Sequence, residues 1–69
     1  MRIALLTVSD TRSIADDSSG EFLATALNAA GHVQHDRQLL PDDRYLLRAL
    51  VSNWIADPEC QVVLITGGT

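Results

Sequence analysis

Three short stretches hold residue types that could do chemistry together: Ser9-Asp10-Thr11, Pro41-Asp42-Asp43 and Thr66-Gly67-Gly68-Thr69. Asp10 and Asp42 are oxygen acceptors. Such carboxylates suit a magnesium ion bridging phosphates, or a hydroxyl to be activated. Gly67 and Gly68 let backbone amides approach an anion closely and allow turns barred to other residues. The serine and threonine hydroxyls add neutral donors. Together they point to an anionic ligand, with a phosphate, with or without a metal, among the candidates. Each also has a plainer use. The glycines can serve a strand-to-helix turn, Asp42 can cap a helix, and Asp10 can shape a loop. The common phosphate loops are absent: no Gly-x-Gly-x-x-Gly follows the first apolar run, and no Gly-x-x-x-x-Gly-Lys occurs.

Whether these stretches meet depends on the elements around them. Ile3 to Val8 is a continuous apolar run, as in a strand buried on both faces. Phe22, Leu23, Ala26, Leu27 and Ala30 recur at helical spacing. Ser18 and Glu21 stand three apart, as in a capping box, and Gly31 follows where a left-handed stop is wanted. Val33 to Leu40 is a mixed run with polar residues on both faces, which suits an edge strand. Pro41-Asp42-Asp43 opens a second helix with the stripe Leu46, Leu47, Leu50, Val51, Trp54 and Ile55. Asp42 or Asp43 can cap it, and Asp57-Pro58 stops it. Gln61 to Ile65 is another buried strand.

Strands alternating with helices imply right-handed crossovers and a parallel sheet, an α/β fold with helices on both faces. Two apolar strands and one mixed strand fit the order 2-1-3, with Leu5, Val63 and Leu64 buried. That order puts a switch point between the first and third strands, and ligands bind beyond the carboxyl ends of strands at such a point. All three candidate stretches fall on that rim.

Composition narrows the function classes. The chain has 69 residues, with five Lys/Arg against nine Asp/Glu and a formal charge of -4. The acidic balance argues against a nucleic-acid surface, and 46% hydrophobic content lies in the globular range. No apolar run approaches the roughly 18 residues that span a bilayer, and no secretory leader is evident, so the cytoplasm is the expected location. One cysteine excludes an internal disulfide. Cys60, His32 and His35 do not have zinc-site spacing. His32 and His35 are expected in solvent, Asp16-Asp17 in a solvated loop, and Cys60 as a partly buried inert thiol. Trp54 is expected in the core or in a subunit contact. A chain this small has little core and usually needs a disulfide, a metal or a partner. It reads as the N-terminal part of one longer domain, with a complete small oligomer as the alternative. The segment alone is expected to be unstable or aggregated.

At its loops the sequence resembles the molybdenum-cofactor biosynthesis proteins of the MoaB/MogA type. The matching stretches are residues 3–11, Asp17-Ser18-Ser19-Gly20, Pro41-Asp42-Asp43 and residues 63–69. They follow the family's order and spacing and cover essentially the whole chain. The Asp-Ser-Ser-Gly loop and Trp54-Ile55-Ala56-Asp57 look closer to the MoaB branch. The resemblance implies a longer α/β protein that forms trimers or hexamers. Adenylyltransferase members bind molybdopterin and Mg-ATP, join AMP to the pterin's terminal phosphate and release pyrophosphate. By motif, Asp42 matches the catalytic aspartate, with a role toward magnesium. Ser9, Asp10, Thr66, Gly67, Gly68 and Thr69 match substrate-binding loops. The family motif continues into a further glycine and a downstream Arg-Asp pair beyond residue 69, so this segment alone is expected to be inactive. The alternative is a non-catalytic molybdopterin-binding or scaffolding protein of the same fold.

Overall fold

A computed structural model describes residues 1–11 and 13–67. In chain order the elements are β1 (Arg2–Val8), a 3₁₀ turn (Ile14–Asp16), α1 (Ser18–Ala29), β2 (Val33–Leu40), α2 (Arg44–Ala56) and β3 (Val62–Gly67). The strands form one parallel sheet in the order β2-β1-β3. This is the expected order, with the mixed strand at an edge.

β1 is the centre of the core. Ile3, Ala4, Leu5, Leu6, Thr7 and Val8 are all buried. Strand side chains alternate between faces, and the packing follows that alternation. Ala4, Leu6 and Val8 pack with Trp54 beneath α2, joined by Leu40, Leu47, Leu50, Val51, Cys60 and Val63. Ile3 and Leu5 pack with Leu27 beneath α1, joined by Leu23, Ala24 and Val62. One helix therefore covers each face, giving three layers.

The helix ends obey local rules. Gly31 takes φ +85°, and its amide donates to the Asn28 carbonyl at 3.1 Å. Asp57 is extended, at φ -83° and ψ 114°, as a residue before proline is pushed to be. The start of α1 corrects an expectation. Asp17, not Ser18, is its N-cap, with its carboxylate accepting from the Gly20 amide at 3.0 Å. Glu21 does not reach back to complete a box; it pairs with Arg37 of β2 at 3.0 Å.

Exposure departs from the stripes in a consistent way. Phe22 is 72% exposed and Ile55 75%, because each lies at the margin of a stripe whose centre meets the sheet. Leu46 is exposed on the same principle. β3 is not buried on both faces: Val63 is half-buried, while Leu64 and Ile65 are exposed. Among the described residues β3 pairs only with β1 and lies at an edge of the sheet, where its side chains are half-buried to exposed.

His35 also departs from expectation. The β1–β2 register shifts between Ile3 and Ala4, whose partners are Gln34 and Asp36, so His35 is an extra, bulged residue. Its side chain is 12% exposed, with Nε2 2.9 Å from Asp57 Oδ2. Its Nδ1 lies 3.2 Å from the Arg2 guanidinium. Arginine only donates, so Nδ1 accepts and Nε2–H donates to Asp57. The Glu59 amide, aided by His35, holds the Asp57 carboxyl below its ordinary range despite partial desolvation. His32 is half-buried beside the N-terminal amine. Cys60 is half-buried, as expected, with its thiol toward the Val62 carbonyl.

Candidate functional site at the carboxyl rim of the sheet

The parallel ladder brings the loops after β1, β2 and β3 to one rim. Val8 pairs with Leu40 on one side and Gly67 on the other. The Ser9 amide extends the pairing by donating to the Leu40 carbonyl at 2.9 Å. Beyond it, the Asp42 amide donates to Asp10 Oδ1 at 2.9 Å. The loops holding Asp10 and Asp42 are thus tied directly, across 32 residues of sequence.

The cap of α2 is Asp43. Its Oδ1 accepts from the Tyr45 amide at 2.9 Å and the Leu46 amide at 3.2 Å. That resolves the choice between Asp42 and Asp43. Asp42 is exposed on the rim and is not the cap. Ser9 is half-buried, and its Oγ accepts from the Thr11 amide at 3.4 Å.

Gly67 ends β3 with φ +97°. A Cβ there would run into the Val8 carbonyl. Only glycine meets both demands, because other residues rarely adopt this φ and there is no room for a side chain. Gly68 and Thr69, two of the sequence-predicted binding residues, lie outside the described residues. Thr66, opposite Thr7 in the ladder, lines a cavity of about 370 Å³ with Ser18, Ser19, Phe22 and Leu23. Ser9, Asp10 and Asp42 stand on the rim outside that lining.

The cavity exposes what the sequence reading missed. Asp17 lies beneath the first turn of α1 and is 2% exposed, not in a solvated loop. Thr7 Oγ1 donates to its Oδ2 at 2.5 Å, and Arg37 approaches the same oxygen at 3.4 Å. Burial pushes the Asp17 pKa up. The Thr7 hydroxyl, the Gly20 amide and Arg37 together outweigh burial and hold it below 3.8. The available signal was Thr7 itself: a lone hydroxyl in an apolar strand needs a buried partner.

Asp10, Asp42 and Ser9 offer oxygen donors, the type magnesium prefers. Among the described residues no group of three or more His, Cys, Asp or Glu could hold a metal. Among the described residues no helix is long and apolar enough to cross a membrane.

An open parallel α/β sheet with ligand-type loops at its switch point defines the class of protein. Residues 4–69 match the family described as "Probable molybdopterin binding domain", and the chain belongs to that family. It is 52% identical over 68 residues to molybdenum cofactor biosynthesis protein B of Escherichia coli K12, covering 99% of this chain and 40% of that protein. It is 33% identical over 69 residues to the protein of that name from Bacillus subtilis, covering 100% and 41%. The relative of that name from Halalkalibacterium halodurans is 29% identical over 69 residues, covering 100% and 41%. The chain thus spans about two-fifths of the length of these curated relatives.

Proposed function

We propose that the full-length protein acts in molybdenum-cofactor biosynthesis, binding molybdopterin at the carboxyl rim and transferring AMP to it from Mg-ATP. The observation that carries this reading is the tie between Asp10 and Asp42 on the rim that Gly67 shares. It holds a non-capping carboxylate on the same rim as the end of β3, where Gly67 takes a positive φ. In the reaction, an oxygen of the pterin's terminal phosphate attacks the α-phosphorus of ATP. A new P–O bond forms, the bond to the β-phosphate oxygen breaks, and pyrophosphate leaves. Asp42 holds the magnesium-bearing nucleotide in line for attack. Ser9 and Thr66 donate from their hydroxyls, and Gly67, Gly68 and Thr69 are the family-motif residues assigned to the phosphate and pterin. Asp42 would hold the magnesium that ATP carries, and that ion would supply charge neutralisation at the phosphates.

The protein works in the cytoplasm as a homo-oligomer, a trimer or hexamer. Exposed Phe22, Ile55, Leu64 and Ile65 support further packing against the rest of the domain or other copies. The test is single-turnover assay of the full-length protein with molybdopterin and Mg-ATP. Adenylated pterin and pyrophosphate are expected in equal amounts. Tight pterin binding without turnover would establish the binding or scaffolding alternative instead.

A further inference from the structure

An exposed Ser, Asp or Asn would cap α1 adequately. Asp17 does more than that, and its burial requires an explanation. Its side chain has no exposed surface. A carboxylate taken out of water is costly unless every oxygen is satisfied, and an apolar group of similar size is often no less stable. Here the contacts run to three separate elements. Oδ1 accepts from the Gly20 amide within α1. Oδ2 accepts from Thr7 on β1 and faces Arg37 on β2. Arg37 also donates to the Asp17 carbonyl at 3.2 Å. Gly20 makes the arrangement possible, since a Cβ there would collide with the Asp17 carboxyl and crowd the Thr7 hydroxyl.

These contacts lie behind the cavity. Ser18 and Ser19, immediately after Asp17, form one wall, and Thr66 forms another. Thr66 is the ladder partner of Thr7. The Thr7–Asp17 hydrogen bond therefore joins the strand position beside one wall to the residue that begins the other. Arg37 offsets a negative charge that would otherwise repel an anion arriving at the helix N-terminus.

We propose that Asp17 is a positioning residue of the ligand site: acting through Thr7 and Arg37, it fixes the spacing between the first turn of α1 and the end of β3. This rests on the proposed molybdopterin site at the same rim. Asp17 is buried behind the walls and touches no reacting atom. Its effect is on how well the walls fit the ligand, so it shows in affinity more than in the chemical step.

The test uses the full-length protein with Thr7→Val, Thr7→Ser and Asp17→Asn. Valine keeps the shape and strand preference of threonine but cannot donate. Serine restores the donor, and Asn keeps the cap while removing the charge that pairs with Arg37. Molybdopterin affinity, kcat at saturation, melting temperature and amide exchange at residues 18–21 and 66 are measured for each. Thr7→Val is expected to weaken pterin binding about tenfold, because the walls must then be ordered at the expense of binding. Its kcat should stay within about twofold, because the positioned groups still reach the reacting phosphate. Thr7→Ser should recover parental affinity, and Asp17→Asn should resemble Thr7→Val. Exchange should quicken at both walls in the two impaired variants. Parental affinity in Thr7→Val and Asp17→Asn, with only the melting temperature lowered, would make the network structural and overturn the proposal. A parent that binds no pterin would defeat the proposed function. The exchange data then decide the positioning role: coupled quickening at 18–21 and 66 supports it, and unchanged exchange at 66 overturns it.

Discussion

The backbone amide of Asp42 donates to the carboxylate of Asp10 at 2.9 Å, so the loop after β2 is held by a side chain from the loop after β1. An acceptor is what this bond requires, and Asn supplies one as well as Asp does. Asp10→Asn should therefore keep most adenylyl transfer in the full-length protein, while Asp10→Ala should lower it roughly tenfold by loosening Asp42. Turnover of the two variants side by side checks this. Equal, severe losses in both would show that Asp10 acts through its charge on ligand or magnesium.

Asp42 itself carries a different expectation. Asp43 caps α2, so neutralising Asp42 removes no cap. Asp42→Asn should leave the melting temperature and pterin affinity close to the parent's. Turnover should fall by ~10²–10³, the usual effect of removing one well-placed electrostatic group. Asp43→Ala is the complementary variant: it should cost about 1 kcal/mol of stability as a lost cap. Thermal melts and steady-state rates for both variants separate the two roles.

Gly67 and Gly31 allow strain to be separated from collision. Both have positive φ, +97° and +85°. A Cβ at Gly31 meets open space, whereas one at Gly67 meets the Val8 carbonyl. Gly31→Ala should cost about 1 kcal/mol, the price of φ alone. Gly67→Ala should cost more, by ~1–3 kcal/mol, because the end of β3 must also move away from β1. Denaturant midpoints of the two variants test the difference.

Acid should reveal Asp17. Its folded pKa is depressed below 3.8, the ordinary value, so the folded state binds this proton less readily than the unfolded chain. The stabilisation is complete above the unfolded value and is lost as pH falls through the folded one. Urea midpoints should thus decline below about pH 4. Asp17→Asn should show a lower midpoint at neutral pH and a shallower decline in acid. An unchanged acid slope in that variant would assign the decline to other carboxylates.

Much of the fold was legible because it depends on local pattern. Apolar runs at 3–8 and 62–65 marked strands, and polar residues on both faces of 33–40 marked an edge. The order 2-1-3 fits that pattern and is the one observed, and it puts residues 9–10, 41–43 and 66–67 on a single rim. Helical spacing likewise placed Leu23, Leu27, Leu47, Leu50, Val51 and Trp54 on the packing stripes, but the same stripes included Phe22, Ala26, Ala30, Leu46 and Ile55, which are exposed. What the sequence could not determine are contacts between side chains distant along the chain. Spacing favoured Ser18 and Glu21 as a capping pair, yet Thr7 and Arg37 draw Asp17 beneath the first turn and Arg37 takes Glu21. A one-residue bulge turns His35 toward Asp57, and alternation along a strand carries no sign of it. Both aspartates after Pro41 suit a cap, and only the path of the loop leaves Asp43 over the helix amides and Asp42 on the rim. Periodicity assigns residues to faces, because backbone geometry repeats. Partners on those faces are decided by register and loop path, which exist only once the chain has folded.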